Sequence, residues 1–221
     1  RYYIKDDNFR TWLEEWGPDR KVDPSDLPEG PVLFDDRWRT QSEPAYALRS
    51  SAFARSILSQ DKLYKSPVIK GEAGGGKVIV RFCPEVIRIA RGHRVAVTGS
   101  IPELGGWSDK SALVLGNPGH PEWSGEVAVP PDRFPIEYKY LIRDEKGRTQ
   151  FWEQSGNRVL NLPAGQVPSL IRVGNELFSY PQQPWKGAGV AVPVFSLRRS
   201  DGMGIGEFTD LKLLTDWAVQ T

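Results

Sequence analysis

From about residue 77 to about residue 176 the apolar residues fall in short runs that alternate with polar ones. That period of two is the mark of strands with one buried face. The predicted strands are 78–83, 94–98, 111–115, 125–129, 136–143, 149–153, 159–162 and 169–173. Within Ile136-Glu137-Tyr138-Lys139-Tyr140-Leu141-Ile142, the polar Glu137 and Lys139 share one face. Turn signals separate the runs: Gly105-Gly106, Asn117-Pro118-Gly119, Pro130-Pro131-Asp132, Lys146-Gly147 and Ser155-Gly156-Asn157. Short strands at this spacing, with no helical pattern between them, predict a mainly β fold, an antiparallel β-sandwich or barrel.

The pattern repeats. Residues 2–20 align without a gap on 140–158, Tyr2 with Tyr140 and Arg20 with Arg158, at an offset of 138 residues. A repeat of domain length predicts that residues 1–35 are the C-terminal part of a first module and that 77–176 are a complete second one. Residues 36–76 read as a linker, with a short helix near 50–58 and a flexible Gly74-Gly75-Gly76. Beyond Pro181-Gln182-Gln183-Pro184 the periodicity changes. Residues 188–195 read as a buried strand, and 207–220 as an amphipathic helix with Phe208, Leu211, Leu214, Trp217 and Ala218 on one side. Residues 177–221 are thus a hinge followed by the first β/α unit of another domain. The chain opens without an initiator Met and stops within the predicted helix, which reads as a piece of a longer protein.

Composition narrows the function. The 29 basic and 28 acidic residues nearly cancel, so nothing points to nucleic acid, and no apolar run is long enough for a membrane span. The 18 prolines and 22 glycines suit a turn-rich fold. One cysteine, Cys83, has no partner for an internal disulfide, which fits a reducing compartment such as the cytosol. The count that stands out is Trp, at 8. A core accommodates few whole indoles, so some rings are expected to face water and stack on ligands.

Two glycine motifs fail on context. Gly71-Glu72-Ala73-Gly74-Gly75-Gly76-Lys77 has phosphate-loop spacing, but Val78 follows where a metal-binding hydroxyl is needed. Gly202-Met203-Gly204-Ile205-Gly206 lacks dinucleotide spacing and a second strand. Asp201, Glu207, Asp210 and Asp216 supply no identifiable acid and nucleophile, Asp210 and Asp216 reading as solvated helix charges. His93 and His120 have no evident Ser or Cys partner, and no metal-ligand cluster is seen. Neither a catalytic group, a metal nor a cofactor is expected within these residues.

The tryptophans suggest a different chemistry. Trp107 ends the turn-rich segment 99–107, Lys139 lies on a polar strand face, and Trp152 is followed by Glu153 and Gln154. A pyranose has an apolar C–H face, which an indole covers, and a polar rim, which Lys, Glu and Asn can hydrogen-bond. Spacing alone leaves open the alternative that one of these indoles fills the core.

Taken together, Gly99-Ser100-x-Pro102-x-Leu104-Gly105-x-Trp107, Glu137-Tyr138-Lys139-Tyr140 and Trp152-Glu153-x-x-x-Asn157-Arg158 resemble the starch-binding modules of carbohydrate-binding family 20. The resemblance runs through 77–176 and implies an immunoglobulin-like sandwich with a glucan site at Trp107, Lys139, Trp152, Glu153 and Asn157. It offers Trp123 as the tryptophan of a second site, with Arg91 where an aromatic is usual. In the first copy Glu14 occupies the position of Trp152, and Trp12 and Trp16 are candidates for its stacking role. Residues 184–197 with 204–208 resemble the start of a glycoside hydrolase family 77 (β/α)8 barrel. Tandem family 20 modules ahead of such a barrel are similar to the plant-type 4-α-glucanotransferases of the cytosol. The resemblance implies α-1,4-glucan partners (maltose, maltodextrin, heteroglycan, starch or glycogen) and a retaining transfer whose carboxylates lie beyond Thr221. The alternative left open is a non-catalytic starch- or glycogen-binding scaffold or regulatory subunit.

Overall fold

The computed structural model describes residues 2–15, 22–40, 76–181, 191–200, 202 and 204–220. It divides into two compact units, 1–182 and 183–221.

Among the described residues the first unit contains twelve strands. β1 (Tyr3–Lys5) and β2 (Thr11–Glu14) form a separate antiparallel hairpin. One five-stranded sheet runs in the order β10 (Thr149–Trp152), β9 (Ile136–Arg143), β5 (Arg94–Gly99), β6 (Leu113–Val114), with β11 (Arg158–Leu160) also paired to β9. The other runs β3 (Val32–Asp36), β12 (Leu170–Leu177), β4 (Val78–Glu85), β8 (Glu122–Val129), β7 (Gly116–Gly119). The expected strands are all present, with ends displaced by a few residues. The sandwich is antiparallel except along β12, which pairs in parallel with both β4 and β3. β3 comes from the segment expected to be a partial first module, yet it forms the edge of the second module's sheet. β7 occupies the stretch that its Asn-Pro-Gly sequence marks as a turn.

Alternation builds the core. Val78, Val80 and Phe82 of β4, Val95 and Val97 of β5, Tyr138, Tyr140 and Ile142 of β9, and Ile171 and Val173 of β12 are all buried in it. Phe82, Tyr138 and Tyr140 pack ring against ring, with centroids 5.0 Å apart for Phe82–Tyr138 and 5.7 Å for Tyr138–Tyr140. Each such contact adds about 0.5–1.5 kcal/mol beyond the area buried.

In the second unit, α1 (Asp210–Gln220) confirms a helix, starting three residues later than the pattern suggests. Asp210 is buried instead of solvated: its carboxylate accepts the Glu207 amide at 2.8 Å and lies 3.4 Å from Arg199 Nε. Only Leu211 and Leu214 of the predicted apolar stripe are half-buried, whereas Phe208 and Trp217 are exposed. The strand expected over 188–195 is not found where it is described. Residues 191–193 are irregular, Val194–Ser196 is a 3-10 turn, and Phe195 is exposed. An apolar run needs a neighbouring strand to complete its ladder, and no strand pairs with it among the described residues. The helix expected near 50–58 and the Gly74-Gly75 tether lie outside the described residues. No described helix is long and apolar enough to cross a membrane.

Candidate functional site

Several of the site candidates lie on or beside the outer face of β9. Its inner residues Tyr138, Tyr140 and Ile142 enter the core, so Glu137, Lys139, Leu141 and Arg143 point away from it. Leu141 is covered by Ala96, Ala112 and Val114, while Glu137 is exposed and Lys139 half-buried. Trp152 of β10 stands directly opposite Leu141, which puts its indole on this same face, 37% exposed. Lys139 is its diagonal neighbour, at the ~7–8 Å of such pairs. Val159 of β11, opposite Glu137, adds a second exposed apolar side chain.

Trp107, half-buried, lies in the segment that follows β5 at the opposite edge of β9. There Thr98 and Gly99 of β5 pair with Lys139 and Tyr138. The segment after β5 folds back on itself: the Trp107 amide donates to Gly99 O at 2.9 Å, and Thr98 Oγ1 donates to Leu104 O at 2.9 Å. Ser100 ties the segment to β9, its amide donating to Glu137 O at 2.8 Å and its hydroxyl accepting the Glu137 amide at 3.1 Å. Only glycine fits at position 99, because a Cβ there would collide with the Glu137 carbonyl. Trp107 itself has φ +66, left-handed backbone that a bulky residue rarely adopts. Strain of this kind collects at binding sites.

β10 and β11 lie end to end along the other edge of β9, and Lys139 faces the gap between them. The segment 153–157 crosses that gap. Asn157 is exposed, and its Nδ2 donates to Glu137 Oε2 at 2.9 Å. Glu137 therefore joins the polar rim beside Lys139, as its place on the polar face of the strand indicates.

Glu153 does not. Its carboxylate is buried beneath the face, accepting the Tyr140 amide at 3.0 Å and the Arg158 guanidinium at 2.8–3.2 Å. A carboxylate so enclosed has no free edge for a sugar hydroxyl, which corrects the expectation of direct contact. Arg158 also donates to Glu176 Oε1 at 3.2 Å and to Leu177 O at 3.0 Å. The fully buried Glu176 accepts Tyr138 Oη at 2.8 Å and Tyr140 Oη at 2.6 Å. Burial first, then the Glu176 charge, pushes both phenols up. Burial would lower Arg158, but its hydrogen bond to Glu153 and the charges of Glu176 and Glu153 outweigh that and hold it protonated.

The candidate second site is not assembled. Trp123 is completely buried in the core between the sheets, because it falls at an inward position of β8. It presents no ring face to a ligand. Arg91 is exposed and lines a cleft of about 390 Å³ with His93, Asp144, Glu145, Lys146, Arg148 and Gln150. In the first copy the backbone of Trp12 lies in β2, its side chain is outside the described residues, and so is all of Trp16.

The architecture is thus a carbohydrate-binding type of β-sandwich, with aromatic and polar groups gathered on one sheet face. Residues 77–171 match the family model described as "Starch binding domain". Across its whole length the chain is 34% identical to the 4-alpha-glucanotransferase DPE2 of Oryza sativa subsp. japonica, spanning 24% of that protein. It is 35% identical over 98 residues to the glucan 1,4-alpha-maltotetraohydrolase of Roseateles saccharophilus, 43% of this chain and 18% of that one. Among solved structures, the family 20 module of a maltotetraose-forming amylase from Pseudomonas saccharophila is 28% identical. That match covers 44% of this chain and 99% of the module, with a TM-score of 0.36. The chain spans about a quarter or less of the two curated relatives.

Proposed function

We propose that this chain is the glucan-holding region of a 4-α-glucanotransferase of the cytosol, and that Trp107, Lys139, Trp152 and Asn157, joined by Glu137, contact the glucan. The observation that carries the site is the Trp152 indole on the outer face of β9 beside Lys139, with Trp107 in the segment that leaves β5 at the opposite edge. The indoles stack on the C–H faces of successive glucose units, and the Lys139, Asn157 and Glu137 side chains bond the hydroxyl rim. Support for the parent activity is the 34% identity along the whole chain to a protein named as a 4-alpha-glucanotransferase. In this reading 177–221 begins the family 77 barrel, whose carboxylates transfer glucosyl units from maltose or maltodextrin to a glucan acceptor held by the sandwich.

The test is a titration of maltoheptaose or β-cyclodextrin against tryptophan fluorescence. A saturable change that disappears in Trp107→Ala plus Trp152→Ala supports the site, and an identical response in that double variant removes it. The parent activity is tested by glucosyl transfer from maltose to soluble glucan in the full-length natural protein. Binding without transfer would leave the starch- or glycogen-binding scaffold as the better reading.

A further inference from the structure

Every residue proposed to touch glucan from the gap side of β9 is the chain neighbour of a member of one buried ionic network. Trp152 precedes Glu153, Asn157 precedes Arg158, and Lys139 stands between Tyr138 and Tyr140. The network spans the break between β10 and β11. There the strand ladder cannot continue, and the Glu153 carboxylate takes the Tyr140 amide at 3.0 Å in place of a backbone carbonyl. The Glu153 amide in turn donates to Tyr140 O at 3.1 Å, so this residue closes the gap from both sides. Arg158, at the far end of the crossing segment, grips both Glu153 oxygens, Glu176 and Leu177 O. Its guanidinium lies 5.4 Å from the Tyr140 ring centre. Glu176 anchors the assembly to the opposite sheet through the Tyr138 and Tyr140 hydroxyls. Arg37, just beyond β3, adds a second guanidinium at 3.5 Å from Glu176.

We infer that Glu153, Arg158 and Glu176 are positioning residues for the glucan platform, and that Glu153 acts through Arg158, without touching the sugar. The inference rests on the glucan site proposed above. Stacking and rim hydrogen bonds demand that Trp152 and Asn157 be held to within a fraction of an ångström before the ligand arrives. The segment between them has no ladder of its own over the gap. If the network is loosened, ordering that segment becomes a cost of binding and affinity falls. Arg fits this role as Lys does not, because its planar fork serves several acceptors at once.

The test uses the 221-residue chain and β-cyclodextrin by isothermal titration, with Glu153→Gln, Arg158→Gln, Arg158→Lys and the Glu153→Gln/Arg158→Gln pair. Each Gln variant is expected to weaken binding about 5- to 10-fold. The pair should be little worse than the weaker single, because residues acting through one contact are not additive. Arg158→Lys should recover only part of the loss. Multiplicative losses in the pair would mean that Glu153 contacts glucan on its own account, and would overturn the inference. A second measurement needs no variant to fold. In the wild type, the Glu153 carboxyl carbon and Arg158 Nε–H resonances should stay in place on saturation with maltoheptaose, while the Asn157 side-chain amide moves. A Glu153 shift as large as that of Asn157 overturns the proposal. If wild-type protein binds nothing, or Trp152→Ala binds as wild type does, it is the glucan site that fails. If that site stands and Glu153→Gln and Arg158→Gln bind normally, it is the network that fails.

Discussion

Leu170 of β12 stands directly opposite Val32 of β3, and the offset of 138 positions from one to the other is the period of the sequence repeat. The next four pairs, through Gly174 and Asp36, keep the same offset, so equivalent strands of the two copies lie side by side in parallel. The hairpins correspond just as closely. Tyr3 pairs with Glu14 where Leu141 pairs with Trp152, and Asp6 caps its turn through the amides of Asn8 and Arg10 as Asp144 does through those of Lys146 and Arg148. Even the buried acid recurs: Glu15 holds Arg39 at 3.0 Å where Glu153 holds Arg158 at 2.8 Å. What does not recur is the indole. Glu14 occupies the place of Trp152, so the first hairpin keeps the frame of the site without that part of its platform.

The two site tryptophans should separate binding from folding. Trp107→Gly removes an indole and also relieves the left-handed strain at φ +66, which costs a side-chain-bearing residue about 1–2 kcal/mol. We expect it to lose about 1–2 kcal/mol of glucan affinity, roughly 5- to 30-fold, while the melting temperature holds or rises. Trp152→Ala should weaken binding similarly and move stability by less than about 0.5 kcal/mol. Calorimetric titration and thermal unfolding on the same samples check both. A fall in melting temperature in step with the affinity loss would mean that the rings serve the core.

Trp123 should behave in the opposite way. It is fully buried among core residues, and Trp123→Ala leaves a cavity that truncations of this size make costly, about 3–5 kcal/mol. Denaturant unfolding should show that loss, with Trp123→Phe retaining much of the stability. Binding per folded molecule should be unchanged within about twofold. A large affinity loss in folded Trp123→Phe would return this residue to a ligand site.

The contrast between Trp123 and Trp152 marks how much was legible. Period-two alternation located the strands, because burial of one sheet face is written into each strand separately. It also put Glu137 and Lys139 on the open face. It did not separate Trp123 from Trp152, since both lie in alternating strands and only the opposite sheet decides which indole is covered. Glu153 was misplaced for a related reason. Next to an exposed tryptophan it reads as a rim carboxylate, and only the break in the β9 ladder turns it inward. The β3–β12 pairing was hidden although the repeat was visible, because equivalence in sequence does not say which copies of a strand meet. At 188–195 the apolar run predicts a strand, but a strand also needs a partner to pair with, and periodicity carries no information on that.

The repeat also exposes a mismatched turn residue. Gly147 sits at φ +76 in the β9–β10 turn, and the equivalent Phe9 sits at φ +60 with its ring exposed. Glycine adopts this conformation freely and phenylalanine does not. Phe9→Gly should therefore stabilise the first hairpin by about 1 kcal/mol, read as slower hydrogen exchange of the Asp6 and Glu15 amides, both of which are hydrogen-bonded within it. Gly147→Ala should destabilise the β9–β10 hairpin, its new Cβ also meeting Arg143 Nη2 at 3.3 Å. Faster exchange in Phe9→Gly would show that the Phe9 side chain contributes more than its backbone costs.

Cys83 gives the pH prediction. Cys83 is half-buried on the outward side of β4, and desolvation there raises its thiol to about 11 from the usual 9.0, with Arg172 and Arg81 opposing the shift. At pH 8 it should therefore react with iodoacetamide far more slowly in the folded chain than after unfolding in urea. The stability consequence has a definite sign. A raised pKa means that the native state holds the proton more tightly, so this contribution is complete below pH 9 and is lost as pH rises towards 11. Two pH units at about 1.4 kcal/mol each set its ceiling at about 3 kcal/mol. Other groups, Tyr138 and Tyr140 among them, titrate in the alkaline range, so the comparison must be with Cys83→Ala. The stability difference between wild type and Cys83→Ala should stay flat up to about pH 9 and then move in favour of the variant. A difference that stays flat to pH 11 would show that the thiol ionises as readily in the folded protein as in the unfolded chain.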